Sequence, residues 1–172
     1  DATFRGAVKF NQPIGGWNLS SCQTTYEMFK KATAFNQPIG NWITDNVLTM
    51  AFMFEEARKF NQPVENWNVR SVGNMQGMFQ NAKQFNQPLN GWGKTFRAVN
   101  IHDMFKGAAK FNQPLNAWDT SRVQFARDVF VNANKFLQDI SGWTLHPLAT
   151  PLSKKYITEV KAELQAKLTA LH

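Results

Sequence analysis

Apolar and polar positions along this chain repeat with a short period inside a unit and a long one between units. Phe4, Phe29, Phe54, Phe79, Phe105 and Phe130 share one register, and Ala7, Ala32, Ala57, Ala82, Ala108 and Ala133 follow three residues later. Trp17, Trp42, Trp67, Trp92, Trp118 and Trp143 form a third column that uses every tryptophan. Phe-Asn-Gln-Pro begins at Phe10, Phe35, Phe60, Phe85 and Phe111, with a degraded copy, Phe136-Leu137-Gln138-Asp139. The steps are 25, 25, 25, 26 and 25 residues, so the chain is an array of six similar units. Self-similarity at such a period has to be read before any single element.

Within the third unit, Val72, Met75, Met78, Phe79, Ala82 and Phe85 are spaced three, three, one, three and three apart. That spacing keeps one face of a helix. Ser71 stands where an N-cap belongs, and Ser21 and Ser121 hold the same column. The pattern therefore predicts a short helix from Ser71 to about Lys83. Asn86-Gln87-Pro88 breaks it, because proline disfavours helix at the residue before it and lacks a donor. Leu89 to Trp92 reads as a short extended segment. The expected fold is an α/β repeat solenoid in which stacked extended segments make a narrow parallel sheet, strands about 4.8 Å apart. No unit can bury its aromatic face alone, so neighbours must cover it.

The pattern ends after Trp143. Leu145-His146-Pro147 interrupts the chain, and Thr150-Pro151 reads as an N-cap followed by proline at the first helical position. Ser153 to about Leu171 then predicts an amphipathic helix whose stripe is Ile157, Val160, Leu164, Leu168 and Leu171. Two segments result: residues 1–145, six units with the first incomplete, and residues 146–172, a linker and C-terminal helix. The helix has two readings. It caps the last open unit, or it docks its stripe in a partner's groove or coiled-coil seam. The first unit shows no cap, so its open side is expected to be covered by further sequence or by another protein.

Trp67 to Leu89, with Val72, Met75, Met78-Phe79, Ala82 and Phe85-Asn-Gln-Pro-Leu, resembles the bacterial surface protein 26-residue repeat, the BspA-like or DUF285 repeat. The resemblance covers about residues 1 to 145. It implies kinship with leucine-rich repeats and hence a right-handed α/β coil. It also implies adhesion or protein interaction rather than catalysis, at a cell surface or outside the cell. A subunit of a large organellar complex in a unicellular alga is the alternative setting. The basic balance and the degenerate last unit depart from the family pattern.

Composition narrows the partners. The net charge of +7 suits an acidic partner, an anionic surface or nucleic acid. Lys9, Lys59, Lys110 and Lys135 precede the phenylalanine of the motif, with Arg58 and Lys83 one residue earlier, and in a regular stack they form a ridge. Glu55 and Glu56 interrupt the neighbouring column, so this is no clean nucleic-acid stripe. The lone Cys22 forbids an internal disulfide and shares a column with Val47, Val72 and Val123, which predicts a small buried apolar residue. No apolar run approaches the roughly 18–20 residues of a membrane span, and no signal-peptide pattern appears.

Catalytic signals are missing. His102, His146 and His172 are scattered without metal-ligand spacing. Gly93-Lys94-Thr95 has a proline, Pro88, where a P-loop needs glycine. Asn18-Leu19-Ser20 is a formal glycosylation sequon. The tryptophan column reads as core, and the Asn-Gln pair as satisfaction of turn backbone. The expectation is a non-catalytic interaction or scaffolding module without cofactor or metal. Its partners are other protein subunits, acidic ones included, and neither nucleic acid nor a small-molecule substrate is expected. The contact residues would be the ridge and the helix stripe. The alternative is a carbohydrate- or nucleic-acid-binding solenoid that exposes its Trp and Lys columns.

Overall fold

The computed structural model describes residues 2–172. It overturns the expected helix-plus-strand unit. Among the described residues there is one α-helix, one 3-10 turn (Asn90–Lys94) and no strand. Parallel pairing is confined to single bridges: Thr24 with Thr49, Thr49 with Asn74, Asn74 with Asn100, and Asn100 with Phe125. The chain is not an α/β solenoid, and the unit expected from leucine-rich repeats is absent.

The reason lies in where the backbone donors go. Over residues 71–83, Met78, Gln80 and Ala82 close turns onto the carbonyls of Met75, Gly77 and Phe79, at 3.2, 3.1 and 3.0 Å. The intervening N–H groups leave the segment. Met75, Gly77, Phe79 and Asn81 donate to Asn100, His102, Met104 and Lys106 of the next unit, at 2.8, 2.8, 2.9 and 2.8 Å. An α-helix would send every one of these donors four residues back. Left-handed residues also recur every fourth position, Gly77 at φ 58° and Asn81 at φ 57°. An α-helix of L-residues does not carry them. The same two columns are left-handed at Glu27 and Lys31, Phe52 and Glu56, Asp103 and Gly107, and Asp128 and Asn132. A four-residue turn period lies close to 3.6, so its apolar pattern imitates a helix.

The segment expected to be extended is also a turn. In every unit the tryptophan N–H closes back three residues, as from Trp67 to Val64 at 3.1 Å. Each unit is thus one circuit of turns, hereafter a coil, tied to the next at several points around its edge. Besides the ladder from Met75 to Asn81, Thr44 donates to the carbonyl of Asn68 at 2.8 Å and Asn46 to that of Ser20 at 2.7 Å.

The core is a double file of phenylalanines beside a file of tryptophans. Phe79 is fully buried and lies 5.6 Å from Phe54, 5.7 Å from Phe105 and 4.0 Å from Phe85, ring centre to ring centre. Tryptophan is used because its ring packs while its N–H reaches a partner. The indoles of Trp42, Trp67, Trp92, Trp118 and Trp143 donate to carbonyls of Ile14, Ile39, Val64, Leu89 and Leu115 in the coil before, at 2.9–3.2 Å.

Helix α1, Pro151–Ala170, starts at Thr150, whose side chain accepts the Ser153 N–H. It buries Ser153, Ile157, Val160 and Leu164 against the sixth coil. There the ladder donors meet side chains instead of another coil. The Ala126 N–H reaches Ser153 Oγ and the Phe130 N–H reaches Tyr156 Oη, both at 2.9 Å. Burial pushes the Tyr156 phenol up to about 12, although the bond from Phe130 works against it. The helix therefore stands in for a further coil. No helix among the described residues is long and apolar enough to cross a membrane.

Candidate functional site

The Asn-Gln-Pro segments line up as a continuous face. Each asparagine Oδ1 accepts the backbone N–H of the next coil's asparagine and the Nε2 of its glutamine. Asn36 does so for Asn61 at 2.9 Å and Gln62 at 3.2 Å. The asparagines thus satisfy backbone across coils rather than within their own turn. The file ends where Leu137 and Gln138 donate to Asn112 at 2.9 Å, and no asparagine follows. Beside it Pro13, Pro38, Pro63, Pro88 and Pro114 form an exposed row. Proline suits that row because it brings no N–H needing an acceptor.

A groove of about 490 Å³ runs along this row, lined by Gly15, Pro38, Gly40, Asn41, Pro63, Glu65, Asn66, Gln87 and Pro88. Its lining includes Gly15, Gly40 and Glu65 of one column of the turn before tryptophan, which Asn90 and Asn116 continue beyond the groove. In the later coils that column carries acceptors. The Gly91 N–H reaches Glu65 Oε2 at 3.3 Å, and the Ala117 N–H reaches Asn90 Oδ1 at 2.9 Å. At Gly15 and Gly40 the backbone of the next coil lies close. A Cβ would meet the Pro38 carbonyl oxygen at 2.8 Å and the Pro63 one at 3.1 Å. Periodicity had not pointed to this groove; the signal available was the change from glycine to Glu or Asn along one column.

The positions of the basic column stack along one edge, interrupted in the second coil by Thr33-Ala34. Lys9, Arg58, Lys59, Lys110 and Lys135 are exposed and Lys83 is half-buried. Gln84 joins neighbours, its N–H on the Arg58 carbonyl at 3.2 Å and its Oε1 on Lys110 Nζ at 2.8 Å. Lys83 Nζ donates to the Gly107 carbonyl at 3.2 Å. None of the six pairs with a carboxylate among the described residues. The helix stripe divides. Ile157, Val160 and Leu164 face the core, Leu168 is half-buried and Leu171 is exposed. The three buried members are spent within the chain.

One ionic cluster escaped sequence reasoning because its members lie a coil apart. Glu27 holds Arg5 at 3.0 Å and Lys30 at 2.9 Å, and Lys30 also reaches Glu55 at 3.0 Å. Burial would lower the Lys30 ammonium pKa, but the bonds to Glu27 and Glu55 outweigh it and hold it above the ordinary value. His102 Nδ1 accepts the Arg127 N–H at 2.8 Å, so this imidazole closes a gap in the coil edge. Cys22 is half-buried rather than buried, its thiol donating to the Thr24 carbonyl at 3.1 Å. Trp42, Trp67, Trp92, Trp118 and Trp143 are at most 4% exposed, while Trp17 is 44% exposed. A ligand platform of stacked indoles is therefore not presented along the array.

These features define a repeat-array protein: aromatic coils of turns, tied edge to edge and covered at one end by a helix. A family model described as "Mycoplasma protein of unknown function, DUF285" matches residues 1–96 and 93–164, and the chain belongs to that family. No curated protein and no solved structure matches it.

Proposed function

We propose that the chain is a non-catalytic protein-interaction module, built to hold partner chains along its length as part of a larger assembly or a surface protein. The observation that carries this reading is the fixed, repeated presentation of charge. Five of the six coils offer a lysine or arginine in the two positions before the motif's phenylalanine, the second carrying Thr33-Ala34 instead, and none of these cations pairs with a carboxylate among the described residues. A preformed surface of this kind loses little conformational freedom on binding. Cross-linking mass spectrometry of native extract tests it. Cross-links from Lys59, Lys110 and Lys135 should converge on one recurrent partner chain. A native mass equal to the free chain, with ridge lysines linked only within it, contradicts the reading. The carbohydrate or nucleic-acid alternative has lost its indole platform, since the tryptophans after Trp17 lie inside.

A further inference from the structure

We infer that the cavity between helix α1 and residues 143–147 binds a phosphate group, as a phosphate monoester or as the free ion. This goes beyond the interaction reading and rests neither on the basic ridge nor on a protein partner.

The cavity has a volume of about 230 Å³. Its polar side chains are Thr144 and His146 on one side and Lys154, Thr158 and Lys161 on the other. Positions 154, 158 and 161 share a helix face, because steps of four and three residues nearly close whole turns. Among the described residues no carboxylate lines the cavity. Helix α1 carries four lysines and treats them in two ways. Lys155 and Lys167 each pair with a glutamate four residues away, Glu159 at 4.0 Å and Glu163 at 3.1 Å. Lys154 and Lys161 meet no carboxylate among the described residues. Each instead donates to a backbone carbonyl at 2.7 Å, Lys154 to Pro147 and Lys161 to Trp143. An ammonium has three hydrogens, so two remain on each. These bonds also cover two carbonyl oxygens that would repel an anion, and they fix the charged ends beside the cavity.

His146 is oriented as a donor too. Its Nδ1 accepts the Leu148 N–H at 3.0 Å, so its proton sits on Nε2. The hydroxyls of Thr144 and Thr158 have no partner among the described residues. Every polar side chain of the lining can therefore donate, and its charge comes from two ammoniums. A phosphate monoester carries about −1.5 to −2 at pH 7 and offers three acceptor oxygens, so two ammoniums neutralise it. A carboxylate would leave one of them uncompensated. Trp143 and Ile157, both buried, form an apolar floor beside which attraction between charges is screened less than in water. Pockets that enclose a drug-sized ligand measure roughly 300–1,000 Å³. This smaller cavity takes the charged group and leaves the rest of an ester outside.

Inorganic phosphate, titrated into the 15N- and 13C-labelled chain at pH 7, is the first probe, with chloride holding the ionic strength constant. Signals of the His146 ring, Thr158 and Lys161 should move together and saturate, while those of Lys59 and Lys110 stay. Acetate should bind at least about tenfold more weakly, the usual effect of losing a charged hydrogen bond. Lys161→Gln should weaken phosphate by a similar factor, and Lys161→Arg, which keeps charge and donors, by much less. Lys155→Gln, outside the lining, should leave the affinity unchanged. A second series uses N-acetylphosphoserine amide. Tighter binding than phosphate assigns the site to a phosphorylated side chain, and weaker or equal binding to the free ion. Shifts spread over all lysines without saturation overturn the site. So do phosphate and acetate that bind alike, or equal losses from Lys155→Gln and Lys161→Gln.

Discussion

Truncating one central ring probes the whole account, because every coil is held by its neighbours. Phe79 is fully buried, with rings stacked on it from the coil before, the coil after and its own coil. Phe79→Ala removes a ring that no solvent can replace, at a cost of about 3–5 kcal/mol for a buried phenylalanine. Phe4 belongs to the same column but is only half-buried. It stacks on Phe10 at 3.9 Å and Phe29 at 5.5 Å. Phe4→Ala should therefore cost roughly half as much, since less apolar surface was hidden. Urea unfolding followed by tryptophan emission measures both. For a chain of this size the central change should lower Tm by about 6–20 °C. Equal costs at Phe4 and Phe79, or a cost under about 1 kcal/mol at Phe79, would refute a core shared between coils.

Three further outcomes follow from single residues. Gly77 is left-handed, and a Cβ there would collide with the Phe52 ring edge, so Gly77→Ala should destabilise by at least about 1 kcal/mol in urea unfolding. Tyr156→Phe leaves the Phe130 N–H without its acceptor and should cost about 1–3 kcal/mol, with faster hydrogen exchange at Phe130 and no change at Phe29. Burial, then the neighbouring Arg127, holds the His102 pKa below its ordinary 6.5, and its Nδ1 is needed as an acceptor. As pH falls below 6.5 the unfolded chain binds a proton that the folded chain refuses, so stability drops. His102→Gln keeps an acceptor without the titration. Its melting temperature should fall less than that of the parent on acidification, and parallel curves would contradict this.

The repeat itself was plain in the sequence, because columns of Phe, Trp and Ala report the core directly. So was helix α1, whose N-cap Thr150, N1 proline and apolar stripe act locally. The conformation of the coil was not legible. Met75, Met78, Phe79 and Ala82 face inward in a chain of four-residue turns as they would on a helix. What separates the two is the sign of φ at residues such as Phe52, Glu56 and Asp103, none of which advertises a left-handed backbone. The parallel sheet failed for a related reason: alternate donors do cross between coils, but the others close turns, so no ladder of strands can form. The ridge was legible as a column. The groove was not, since it depends on two glycines failing to supply oxygens that Glu65 and Asn90 supply elsewhere.

Indole exchange reads the stacking most directly. Trp42, Trp67, Trp92, Trp118 and Trp143 each donate their ring N–H to the coil before, whereas Trp17, in the first coil, is half open to solvent. In deuterated buffer, five indole N–H resonances should persist long after the sixth has vanished, and Trp17→Phe should delete the fast one. Six signals that fade together would mean that these rings do not bridge successive coils.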